Sequence, residues 1–134
     1  MTAPIQFTEN ALVLSYVAAA GCTIGEAVVL ASDTTVQDAG AATDLAIGVA
    51  ASTVAANAVV DVYMFGHAVV PVVVGTGDAT RGTKAILAAD GFIDATAHDS
   101  DGVNNQSVYG VFLQSGVVTN TVGLLLTGCD SRGV

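Results

Sequence analysis

Tryptophan is absent from this 134-residue chain, charged residues make up only 11% of it, and the basic ones are just Arg81, Lys84 and Arg132. Phosphate backbones are gripped by clustered Lys and Arg. With twelve acidic residues and a formal charge of −9, the chain has no nucleic-acid partner to expect. The acidic balance suits solubility and steering toward a basic patch. Cysteine is equally scarce: Cys22 and Cys129 lie far apart and make no disulfide framework, so buried free thiols are expected unless the two meet in space. Long hydrophobic runs are missing too. The stretch Ala11 to Cys22, ALVLSYVAAAGC, ends like a lipoprotein cleavage site, but Glu9 stands where positive charge belongs and no Lys or Arg precedes Cys22. It is also too short to span a bilayer. No membrane partner is expected, and Ala11 to Ala18 reads as a strand.

What remains is apolar and small. Hydrophobic residues make up 52% of the chain, aromatics only 5%, with 15 glycines. The length suits one domain, and small side chains make thin layers that gain from association. Turn signals recur at Ala20-Gly21, Ser32-Asp33, Ala39-Gly40, Gly75-Thr76-Gly77, Asp90-Gly91 and Asp101-Gly102. Between them lie short runs rich in Val, Ile and Leu: Glu26 to Ala31, Leu45 to Ala50, Val59 to Phe65, Ala68 to Val74, Lys84 to Leu87, Val108 to Leu113 and Val122 to Leu126. That spacing predicts an all-β protein, a compact barrel-like or sandwich-like domain with at most one short helix. Pro71 cannot donate to a ladder, so its strand is an edge or carries a bulge, and an apolar edge can recruit another chain.

The halves resemble each other. Thr23 to Asp33 and Thr80 to Asp90 both read T-x-G-x-x-x-[VI]-L-A-x-D without a gap. Downstream, Ile47 to Ser52 pairs with Tyr109 to Ser115 if one residue is inserted, and Asn57 then pairs with Asn120. We therefore expect two related β modules, about 23–66 and 80–128, inside one domain over 11–134, each unable to bury its apolar face alone. Residues 1–10 are expected to form an extended N-terminal arm. In it Thr2, Ala3, Pro4, Ile5, Gln6, Phe7 and Thr8 could add to a neighbour's sheet through main-chain hydrogen bonds, or form an ordinary first strand.

Chemistry-bearing motifs fail one by one. Gly77 to Lys84 has Thr83 where a phosphate loop needs its lysine, and Gly75-Thr76-Gly77 lacks the third glycine of a dinucleotide loop, at Thr80. His98 to Gly102 lacks the glycine at Asn104 and the carboxylate at Gly110 that a calcium loop requires. His67 and His98 alone make no zinc site. There is no G-x-S-x-G elbow. No catalytic residue, cofactor or metal is expected. A small β-barrel enzyme with an interfacial carboxylate site, using Asp61 or Asp90, stays open as an alternative, as does a tail-associated or cell-surface β module.

In order along the chain come Ile47-Gly48-Val49-Ala50, a strand Val59-Asp61-Val62 ending in Gly66, Arg81-Gly82 before an apolar strand, and Asp90-Gly91. In that order and over that half to two-thirds of its length, the chain resembles the head decoration, or capsid cement, proteins of tailed bacteriophages. The resemblance implies a non-enzymatic structural protein on the outer surface of the virion, made in the host bacterial cytoplasm. Such a protein stabilises contacts between major capsid protein subunits, as a homo-oligomer with a trimer favoured. Contacts are then expected at Thr2 to Thr8 and Pro71. Tyr16, Tyr63 and Phe65 are candidate anchors that could equally fill the core.

Overall fold

The computed structural model describes residues 11–41, 44–66, 68–95 and 107–131. All regular structure among them is β. The strands are β1 (Val13–Ala18), β2 (Ala27–Leu30), β3 (Thr35–Asp38), β4 (Gly48–Ala50), β5 (Val59–Met64), β6 (Ala68–Val73), β7 (Lys84–Ala88), β8 (Gly91–Asp94), β9 (Ser107–Phe112) and β10 (Thr121–Ser131). The first five close into a barrel in the order β1-β3-β2-β4-β5, and the other five form a sheet in the order β6-β10-β9-β7-β8. Closure follows from β1 pairing antiparallel with β5 on one side and parallel with β3 on the other. A closed sheet has no edge left to protect.

Pair by pair, the second sheet repeats the ladder of the first. Val28 opposite Asp38 corresponds to Ala85 opposite Asp94. Ala27 opposite Val49 corresponds to Lys84 opposite Val111, and Ala50 opposite Val62 to Phe112 opposite Leu124. Both halves turn at the T-x-G sequence, with Gly25 at φ 82° and Gly82 at φ 85°. There the N–H of Glu26 reaches back to the carbonyl of Thr23, as that of Thr83 does to Thr80. Left-handed backbone of this kind is what glycine supplies without steric cost. The bridges Cys22 to Val54 and Ala79 to Gly116 also correspond. They correct one detail of the sequence pairing: by geometry Thr53 matches Ser115, each hydroxyl accepting from the N–H of Ile24 or Arg81. No residue is inserted, and Asn57 corresponds to Thr119 rather than to Asn120.

Two cores result. The smaller fills the first barrel with Ala18, Cys22, Val28, Val36, Ala50, Val60 and Val62. The larger combines the inside of the second sheet, including Phe92, Phe112, Leu124 and Leu126, with Ala27, Ala46 and Val49 from the first half. Tyr109 ties the halves together. Its ring lies 4.9 Å from that of Phe65 and 6.1 Å from that of Phe92. Its hydroxyl donates to the Asp44 carbonyl at 3.1 Å and accepts from the Ala46 N–H at 3.2 Å. A buried phenol needs such partners, and each is worth about 1 kcal/mol net.

Candidate interaction surface

The segment Thr2 to Thr8 lies outside the described residues, as do His67 and His98. Pro71 does not. It sits in β6, at the end of its sheet, opposite Gly123 of β10. The N–H of Val74 points into the ladder, to the Asn120 carbonyl, whereas that of Val73 points away, to the Gly25 carbonyl. Backbone groups alternate along a strand, so the ring nitrogen of Pro71 also faces away from β10 and its missing donor costs no ladder bond. Over this part the β6 edge is blunted: Pro71 offers no N–H and the donor of Val73 is occupied. The other end strand, β8, is covered as well, since the Asp94 N–H donates to the Asp78 carbonyl at 3.0 Å.

Side chains offer more than edges do. Val13, Ser15 and Val17 share the outer side of β1, and in register with them on β5 stand Tyr63, Asp61 and Val59. Val17 and its partner Val59 are 36% and 64% exposed, Val13 is 44% exposed, and Leu12 and Leu14 stand open at the same end of the strand. Between the valines the Ser15 hydroxyl donates to Asp61 Oδ1 at 2.6 Å. The corresponding positions of β6, Val69, Pro71 and Val73, are each partly buried. The first barrel thus leaves open a face that its counterpart covers. Val13, Val17 and Val59 make this face apolar and exposed.

Valine-rich strands read as core, which hides such a face in the sequence. The available signal was Leu12-Val13-Leu14, apolar on both sides of a strand where antiparallel sheets normally alternate. The aromatic candidates pack against the cores: Tyr16 against the smaller, and Phe65, together with Tyr63 at the Val13 end of this face, against the larger.

The carboxylates of the enzyme alternative are each engaged locally. Asp61 holds Ser15, while Asp90 accepts from the N–H of Thr76 at 2.9 Å and from its hydroxyl at 2.6 Å. Those bonds, the hydroxyl's first, hold Asp90 below the usual carboxylate range. Burial, and then the charge of Asp38, push the Cys22 thiol up to about 11. A nucleophilic cysteine needs the opposite shift. Among the described residues no group of three or more His, Cys, Asp or Glu is placed to hold a metal ion.

Comparison with known proteins assigns this architecture. The XM1 gp53 minor capsid protein family matches residues 5–126 of the chain. Among solved structures, the N base of head fiber gp8.5 of bacteriophage phi29 is similar in fold, with a TM-score of 0.64 at 16% identity, over 87% of this chain and 93% of that one. No curated protein sequence matches.

Proposed function

The chain belongs to the XM1 gp53 minor capsid protein family, and from that premise we propose that it sits on the outer surface of the phage head and stabilises contacts between major capsid protein subunits. Its role as a structural, capsid-associated component of the virion follows from the family; the outer position and the partner are our reading. The observation that carries it is the open valine face of β1 and β5, with Val17 and Val59 on a barrel that has no edge to offer. A barrel of this kind docks by side chains. Each contact can be modest, since a standard interface buries about 1,600 Å², and a shell multiplies it. The fold shared with a head-fiber base supports the outer location.

Within this reading residues 1–10 are an arm, and Thr2 to Thr8 extends the contact from the end of β1 where Leu12 and Leu14 lie open. Pro71, partly buried on β6, is a further contact in this reading. The protein acts without catalysis or cofactor, binds neither nucleic acid nor membrane, is made in the host bacterial cytoplasm, and assembles as a trimer.

The test is co-sedimentation of the purified protein with undecorated cognate heads. Saturable binding that raises the heat resistance of the heads, and that is weakened by Val17→Asp, Val59→Asp and by deletion of Thr2 to Thr8, supports the proposal. A folded protein that does not bind overturns it.

A further inference from the structure

Of the six paired residues on the open face of β1 and β5, one is charged. Across the two strands Val17 faces Val59, Ser15 faces Asp61, and Val13 faces Tyr63. Asp61 is exposed like the three valines and lies between the two apolar pairs. The Ser15 hydroxyl, donating to Asp61 Oδ1 at 2.6 Å, holds the carboxylate on this face. At the matching place of the second sheet Pro71 faces Gly123, so the charge is peculiar to the first barrel.

That placement limits what can cover the face. Positions two residues apart on a strand stand about 7 Å from each other. A partner that buries Val17 and Val59 together with Val13 therefore also takes Asp61 out of water. A carboxylate buried without compensation is among the costliest groups an interface can hold. Ser15 offers a hydrogen bond but no charge, so the compensation must be a cation. The first barrel has none to give, because no Lys or Arg precedes Arg81, whereas Glu26, Asp33, Asp38, Asp44 and Asp61 all belong to it. The segment Thr2 to Thr8 carries no Lys or Arg either. A second copy laid barrel to barrel about a two-fold axis would bring the same acidic surface to Asp61. Two copies, at −9 each, also repel as wholes. What fits is a different protein surface, apolar with a basic residue at its centre.

We propose that the face of β1 and β5 receives a Lys or Arg side chain of the capsid surface, paired with Asp61 beside Ser15 and ringed by apolar side chains that meet Val13, Val17 and Val59. The inference rests on the capsid-binding reading and adds what the partner presents at this face. The valines supply the contact area, and the ion pair supplies the register and the choice of partner. An apolar surface without the cation is rejected, because it would strand the carboxylate.

Asp61→Val gives the test a sign. Valine suits an exposed strand position, and circular dichroism and melting check that the variant is folded. Against a purely apolar partner the variant binds undecorated heads more tightly than the native protein. Against a partner with a cation it binds more weakly, by on the order of tenfold or more, since that cation is left unpaired in the interface. The weaker binding is the result expected. Asp61→Asn, whose amide oxygen still accepts from Ser15, should also weaken binding, which separates the charge from any role in holding the strands. Asp101→Asn removes the same charge elsewhere and should change binding by no more than about twofold at physiological salt. Native protein that binds heads while Asp61→Val binds equally or more tightly would overturn this inference and leave the capsid reading standing. A solution mass of the free protein that falls in Asp61→Val would also overturn it, because the face would then join copies of the chain. Native protein that does not bind heads removes both.

Discussion

Gly48 in β4 and Gly110 in β9 stand at the same position of two ladders, each with a facing carbonyl, that of Tyr63 or of Leu125, where a Cβ would have to go. Their partners correspond as well, Met64 for Gly48 and Leu126 for Gly110. The contact is with backbone, which cannot swing aside as a long side chain does. At Gly48 the Val62 Cγ1, 2.7 Å from the Cβ position, adds a second obstacle.

Gly48→Ala and Gly110→Ala should therefore each destabilise the protein by about 1–3 kcal/mol, the usual range for overpacking a tight interior. Gly40→Ala, where a Cβ meets no described atom within 4 Å, is the control. Urea unfolding compares them. A Gly110→Ala midpoint equal to that of Gly40→Ala would show that the β9–β10 ladder is looser than its geometry.

Asn57 and Thr119 form a second corresponding pair, both left-handed, at φ 69° and 74°. Asn tolerates that conformation, but a β-branched residue there is strained. Thr119 is exposed, so little packing opposes a change. Thr119→Gly should stabilise by about 1 kcal/mol, the order of the left-handed penalty, and Thr119→Asn by somewhat less. The mirror change Asn57→Thr should destabilise. Calorimetric melting temperatures would reveal the opposite signs, and a drop for Thr119→Gly would mean that the hydroxyl makes a contact worth more than the strain.

The apolar strands were legible as strands, because Val59 to Met64 and Ala68 to Val73 are short valine-rich runs bounded by turn signals. So was the T-x-G correspondence, since turning at Gly25 and Gly82 demands the same residue type. The strands β3 and β8 were not foreseen. Thr35–Asp38 buries only Val36 fully, and Gly91–Asp94 starts inside what reads as a turn, so neither shows a period. Both are strands because of what lies beside them. Closure of the first barrel rests on β1 lying parallel to β3, a long-range pairing with no local signal. The valine face was hidden for a related reason: a valine on a strand looks the same in sequence whether another layer covers it or not. That the β7–β8 hairpin is one residue shorter than the β2–β3 hairpin is visible only once both ladders are drawn.

Two carboxylates of the second sheet hold the segment that leads from β6 to β7. Asp90 takes both the N–H and the hydroxyl of Thr76, and Asp94 takes those of Thr80, at 2.7 and 2.6 Å. Each carboxylate accepts two hydrogen bonds from its threonine, and at Asp90 these stabilise the charged form. Asp90 is accordingly held below its ordinary 3.8. A depressed carboxylate contributes stability that is present above the unfolded value and lost as the pH falls through the folded one. Acid should therefore release Thr76. Exchange of the Thr76 amide, followed as the pH is lowered through the carboxylate range, should show protection falling in the native protein. In Asp90→Asn, whose amide oxygen can still accept but does not titrate, protection should be lower at neutral pH and nearly flat with acid. A native Thr76 amide that stays protected below the Asp90 transition would mean that the loop is held by the Asp78 N–H to the Gly75 carbonyl, at 3.2 Å, rather than by the carboxylate.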